Sequence, residues 1–244
     1  MSPSLQTLKS FTRCVRCVCV TLSLLVMNAL PAQDTVSEEG KDSGPMMRVL
    51  CVSSLSEEEE ELVLASKNEE GEWTEHSAFK LRSSFITPWM KFVPGRVHIA
   101  RRADEGLESI GSFDLKPEVK RPIVILLPDV KNNRYRADVI HPDELGFRKG
   151  TAFVMNYSKM PALVMLGAKR TPVKPGERVA TSPKVGEDGM YRMVVGYQKK
   201  GEEIVACYDR YVAANQDSRN FLLLFPDPVN GLRVYSLPEF GPFE

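Results

Sequence analysis

The chain has no surplus of charge. Its 244 residues carry 32 Lys and Arg against 32 Asp and Glu. A balanced protein has no global field to draw it onto nucleic acid or an anionic surface, so no nucleic-acid partner is expected. Histidine is scarce as well. His76, His98 and His141 are the three present, and none has a second His or Cys at metal-ligand spacing. They read as exposed strand or turn residues. No G-x-S-x-G, Walker-type loop or G-x-G-x-x-G occurs, which removes the nucleophile elbow and both phosphate-cradling loops. No stretch of ten or more residues carries the i, i+3, i+4, i+7 apolar stripe of an amphipathic helix. Catalytic, cofactor-binding and metal-binding residues are therefore assigned to none of the chain. No cofactor is expected, and the protein reads as a non-enzyme.

Long apolar runs are missing too, except at the start. Lys9, Arg13 and Arg16 precede a 14-residue apolar core from Cys17 to Leu30, and Pro31-Ala32-Gln33 offers a small residue for cleavage. This is the layout of a secretory signal peptide, and the core is short for a bilayer span. Residues 1–32 are expected to be removed after Ala32. An uncleaved anchor is the alternative and the one route to a membrane. Cys14, Cys17 and Cys19 belong to this leader, so the mature chain keeps Cys51 and Cys207. Their spacing matches no metal or redox motif. They read as strand cysteines, with a disulfide as the alternative that an oxidising compartment allows.

Residues 33–45 are polar, charged or turn-forming apart from one Val, and read as a tether that cannot bury enough to order itself. Strands should begin at Met47 to Val52. The glutamates at 57–61 read as a solvated loop or edge; a cation site is the alternative, disfavoured because successive carboxylates on a strand point to opposite faces. Trp73 reads as a core aromatic. Val97 and Ile99 alternate with Arg96 and His98, the mark of a half-buried strand.

One stretch occurs twice. Arg121-Pro-Ile-Val-Ile-Leu-Leu-Pro128-Asp129 returns 98 positions later as Arg219-Asn-Phe-Leu-Leu-Leu-Phe-Pro226-Asp227, each followed by a turn pair, Asn132-Asn133 and Asn230-Gly231. A run apolar at every position is covered on both faces or lies where layers meet. Burying five such side chains grosses roughly 7–15 kcal/mol, at about 1.5–3 kcal/mol each. Neighbouring segments correspond in the same order. Thr151 to Asn156 matches the opening strand, Leu163 to Leu166 matches Leu62 to Leu64, and Pro175-Gly176 matches Pro94-Gly95. Pro238 to Phe243 matches Pro142 to Phe147, with the offset drifting to about 95 as small turn deletions would produce. The second copy gains about fourteen residues around 181–189. The prolines are expected to end their strands, and Asp129 and Asp227 to open turns by accepting backbone N–H groups. Arg121 and Arg219 should pair with carboxylates or lie along a sheet edge. Tyr191, Tyr197, Tyr208 and Tyr211 are either core with a wet hydroxyl or an exposed binding face.

Short strands every ten to fifteen residues, separated by turn residues, indicate an all-β protein: two tandem antiparallel β-sandwich domains arising by duplication, at residues 46–147 and 148–244. About seven strands per copy is the size of an immunoglobulin-like sandwich. Leader and repeats together resemble uncharacterised exported bacterial proteins built from two immunoglobulin-like domains. The resemblance is one of pattern, and no functional residues carry over. It implies an exported binding or structural protein of the cell envelope, periplasmic or secreted, whose partner is an envelope protein or polysaccharide. Two other functions stay open: a polysaccharide hydrolase using carboxylates between the domains, and a factor that pairs partner strands along a sheet edge. Carboxylates about 5–10 Å apart in a groove would point to hydrolysis. An inter-domain surface of Arg and Tyr would point to binding. The surface to watch is where the copies differ, at residues 57–61 and 181–189.

Overall fold

The computed structural model describes residues 44–56, 59–143, 146–198 and 203–241. The leader, the tether up to residue 43, Glu57 and Glu58, the Lys199-Lys-Gly201 turn and Phe243 lie outside the described residues. Within them the protein is all-β, and a 3-10 turn at Val130–Asn132 is the one helical element. No helix among them is long and apolar enough to cross a membrane.

The strands of residues 46–140 are β1 (Met46–Cys51), β2 (Glu60–Lys67), β3 (Trp73–Leu81), β4 (Phe85–Ile86), β5 (Met90–Lys91), β6 (Gly95–Ala103), β7 (Gly106–Leu115), β8 (Ile123–Asp129) and β9 (Arg134–Ile140). Those of the rest are β10 (Ala152–Asn156), β11 (Ala162–Leu166), β12 (Lys169–Val173), β13 (Arg178–Thr181), β14 (Met190–Gln198), β15 (Ile204–Ala213), β16 (Ser218–Asp227) and β17 (Gly231–Phe240). They form four sheets. In the first half these are β4-β1-β8-β9, with β5 also on β1, and β3-β2-β6-β7; in the second, β13-β10-β16-β17 and β12-β11-β14-β15. Pairing is antiparallel with one exception per half: β1 lies parallel to β8, and β10 parallel to β16.

The four sheets enclose three apolar layers. Val124 and Leu126 of β8 face the β3-β2-β6-β7 sheet, with Leu62, Leu64, Val97 and Ile99 opposite. Leu222 and Leu224 of β16 face Val164, Met193 and Val195 in the same way. The alternate residues of the same strands, Ile123, Ile125 and Leu127 with Phe221 and Leu223, meet in a third layer with Leu50, Phe153 and Phe147. The doubled run is apolar throughout because successive side chains serve different layers, and the third layer joins the two halves. Phe147, Phe153 and Phe221 pack there with centroids 4.8–6.0 Å apart.

Register shows how closely the halves correspond. Leu126 pairs with Cys51 and Leu224 with Asn156. The halves share a β-bulge at one equivalent site, and the first has another in the β2–β3 pair, where His76 is the extra residue opposite Leu64 and Ala65. Ile110 is the extra residue of β7 opposite Ile99 and Ala100, and Cys207 is the extra residue of β15 opposite Val195 and Gly196. The hairpin after the doubled run is one residue shorter in the second half: Pro128 pairs with Tyr135 and Pro226 with Leu232, so the offset falls from 98 to 97. Asn133 and Gly231 both take positive φ there, as tight turns require.

Pro128 and Pro226 do not end their strands, which run one residue further to Asp129 and Asp227. The parallel neighbour has its last partner two residues earlier, at Cys51 or Asn156. The missing N–H therefore breaks no ladder hydrogen bond.

Candidate functional site

The paired residues singled out in the sequence have unequal fates. Asp227 is buried and accepts the N–H groups of Val229 and Asn230, both at 2.9 Å, and Arg233 Nε at 3.1 Å. Those hydrogen bonds, Asn230 foremost, hold its carboxyl below the usual aspartate range. Asp129 is exposed and takes Asn132 Nδ2 at 2.7 Å instead of a backbone donor. Arg219 is buried, donates Nε to Glu239 at 2.5 Å and stands 4.7 Å over the Phe147 ring. Arg121 lies 5.4 Å over Trp89. Tyr191 and Tyr197 are core residues, Tyr208 is half-buried against the same core, and Tyr211 is exposed. The tyrosines therefore form no common face.

Trp73 is not a core aromatic. It is half-buried on the outer face of its sheet, edge-on to His98 at 5.1 Å and beneath Lys67. His98 Nδ1 meets Ser109 Oγ and His76 Nε2 meets Ser66 Oγ, both at 2.9 Å. Burial lowers both imidazole pKa values. Cys51 and Cys207 are free thiols in different cores; burial pushes the Cys51 thiol up to about 12. Among the described members of the acidic run, Glu59 pairs with Arg82 and Lys80, and Glu61 with Arg102. This is a surface charge lattice, and no His, Cys, Asp or Glu group suited to a metal occurs among the described residues.

A groove of about 470 Å³ opens at one end of the second half. Pro183 and Val185 come from the 182–189 segment, Tyr191 and Val212 from β14 and β15, and Pro238 and Phe240 from β17. Thr151, Asn215, Gln216, Ser218 and Asn220 supply amides and hydroxyls. Among the described residues, no Asp, Glu, His, Lys, Arg or Cys lines it. The segment is held by its backbone. Lys184 N–H donates to Leu166 O at 3.0 Å, and Gly186 N–H to Met190 O at 2.8 Å. Gly167 permits this approach, since a Cβ there would lie 2.0 Å from the Lys184 carbonyl oxygen.

The corresponding part of the first half is filled. Matching the two bulges sets Leu115 against Val212, Phe113 against Arg210, and Gly111 against Tyr208. Phe113 and Leu115 are buried, whereas Val212 is half-buried and Arg210 exposed. Gly111 lets β7 lie close along β9: a Cβ there would sit 2.8 Å from the Tyr135 carbonyl oxygen. The Tyr208 ring occupies that place in the second half, and β15 lies only loosely along β17. The insertion expected around 181–189 is not present: residues 87–94 separate β4 from β6 and residues 182–189 separate β13 from β14, eight in each half. Pro175-Gly176 joins β12 to β13 whereas Pro94-Gly95 leads into β6, so the two pairs are not equivalent. The loss of Phe113 and Leu115 gave no signal in the sequence, because it needs the bulge register.

The junction between the halves is an apolar layer with a polar clasp at each end. Arg48 Nη1 and Arg219 Nε share Glu239 at 2.8 and 2.5 Å. At the other end Asp138 receives Arg178 and the Tyr157 hydroxyl, the latter at 2.7 Å. These carboxylates are bound up in ion pairs across the halves.

In comparison with known proteins, no protein-family model matches the chain and no curated protein matches it.

Proposed function

We propose that this is an exported, non-enzymatic binding protein of the cell envelope, built by duplication from two immunoglobulin-like sandwiches. Its site is the groove beneath the 182–189 segment, and its ligand is a neutral polysaccharide segment. The observation that carries this reading is the chemistry of the lining, which is uncharged in a chain that is 26% charged. Among the described residues the lining has no carboxylate, imidazole, amine or thiol, and the Tyr191 phenol is its one group able to serve as a general acid or base. Side-chain amides and hydroxyls beside an exposed aromatic ring suit hydroxyl groups on an apolar sugar face. Gln216 and Phe240 are both exposed at the rim. The junction carboxylates Asp138 and Glu239 are already held by arginines, which argues against their use in hydrolysis.

The test is co-sedimentation of the mature chain with insoluble neutral glycans, followed by calorimetry with the soluble oligosaccharide. Retention of wild type, and its loss in Phe240→Ala and Gln216→Ala, is the expected result. Equal retention of all three proteins, or none by any neutral glycan, would sink the reading. A mature N-terminus found at Met1 rather than Gln33 would remove export from it.

A further inference from the structure

We propose a second binding site, independent of that groove: a cleft at the junction of the two halves that takes an anion carried on a flat apolar body. The cleft measures about 420 Å³ and lies at the opposite end of β16 and β17 from the groove. Roughly 25 Å of strand separates the two, at about 3.3 Å per residue from Ser218 to Pro226.

The floor is aromatic. Tyr157 stacks on Phe225 at 4.8 Å with the rings 15° apart, and Tyr235 meets Phe225 edge-on at 5.5 Å. Pro128, Pro226 and Pro228 continue the apolar surface. Two arginines also line the cleft, and their situations differ. Arg233 is spoken for, since it holds Asp227 through Nε and Nη2 at 3.1 and 3.0 Å. Arg136 comes from the first half, opposite Leu127 in the β8–β9 pair, and so points to the junction side. It is exposed and makes no hydrogen bond or ion pair among the described residues.

The nearby acids are engaged with other partners. Asp227 already accepts two backbone N–H groups besides Arg233, and Asp138 already takes Arg178 and the Tyr157 hydroxyl. The cleft therefore keeps one guanidinium without an ion-pair partner among the described residues, in the same lining as the stacked rings. A guanidinium offers planar paired donors that match a carboxylate or sulfonate, and the rings accept a flat apolar body beside it. The sign of the charge selects an anion, and the flat floor selects what carries it.

Two dyes of the same shape test this on the mature chain: the anion 8-anilinonaphthalene-1-sulfonate and its neutral relative N-phenyl-1-naphthylamine. Fluorescence titration should show one saturable site that prefers the anion by about ten-fold or more, the scale of one charge-assisted hydrogen bond. Arg136→Ala should bring the two dyes to parity, Arg136→Lys should keep part of the preference, and benzoate should displace the anion. Arg136 is exposed, so its replacement leaves the fold intact, which circular dichroism checks. Parity in the wild type, or a preference unchanged in Arg136→Ala, would overturn the proposal. So would anion binding that is lost in Phe240→Ala, because that residue belongs to the other groove.

Discussion

The two halves pair their strands in the same order and bulge at the same site, yet they close differently. In the first, Gly111 lets β7 lie against β9, and Phe113 and Leu115 fill the corner. In the second, Tyr208, Arg210 and Val212 hold those places, and the corner stays open above the groove. Strand order and register are thus insensitive to a change that decides whether a sandwich end is packed or accessible. One half has the features of a closed support, and the other carries the surface where packing has been relaxed. The doubled strands serve both, since each gives alternate side chains to its own core and to the shared layer.

The largest expected effect tests whether the shared layer makes the halves one unit. Phe221→Ala should cost about 3–5 kcal/mol, the range for truncating a buried Phe. Trp73 and Trp89 are the protein's two tryptophans and both lie in the first half, so their fluorescence reports on the half that the substitution does not touch. Fluorescence and far-UV circular dichroism should lose signal at one shifted denaturant midpoint. A fluorescence midpoint left in place would show that the halves unfold separately.

The corner comes next. Gly111→Ala puts a methyl group against the Tyr135 carbonyl and should cost about 1–3 kcal/mol, as overpacking does. Tyr208→Ala removes only a half-buried ring at the matching position and should cost less. Equal costs in chemical denaturation would contradict the contrast drawn between the corners.

The smallest effect concerns the turn aspartates. The carboxyl of Asp227 is held below its ordinary value by Asn230 and Val229 N–H groups and by Arg233. Its contribution should be present above about pH 4, the ordinary aspartate value, and fade as pH falls through the lowered one. Asp227→Asn should melt below wild type at pH 7, with the gap narrowing toward pH 3. Asp129→Asn should track wild type throughout, and a matching gap there would make the two turns equivalent after all.

Much of the strand pattern was legible. Val97 and Ile99 against Arg96 and His98, or Tyr191, Met193 and Val195 along β14, declare their buried face by period two. The pattern fails where geometry shifts it. The bulge at Cys207 leaves Ile204 and Ala206 exposed although they continue the apolar alternation toward Tyr208. Trp73 looked like core because of its size, but its strand position turns it to the outer face beside Lys67. The candidate groove was not legible, since its 182–189 segment is no longer than the matching 87–94 segment of the first half.

The amino-acid sequence by itself determined the strands, the paired apolar runs and the turns at Asn133 and Gly231, because alternation and positive φ are local properties of the chain. Tertiary structure decided which face of each run met which layer. It also decided why Asp227 is buried while Asp129 is not, and why Arg136 lines one cleft with aromatic rings of the other half. The layers and the cleft depend on register and on side chains distant in the chain, and the two aspartates differ because the hairpins that follow them differ in length, none of which alternation encodes.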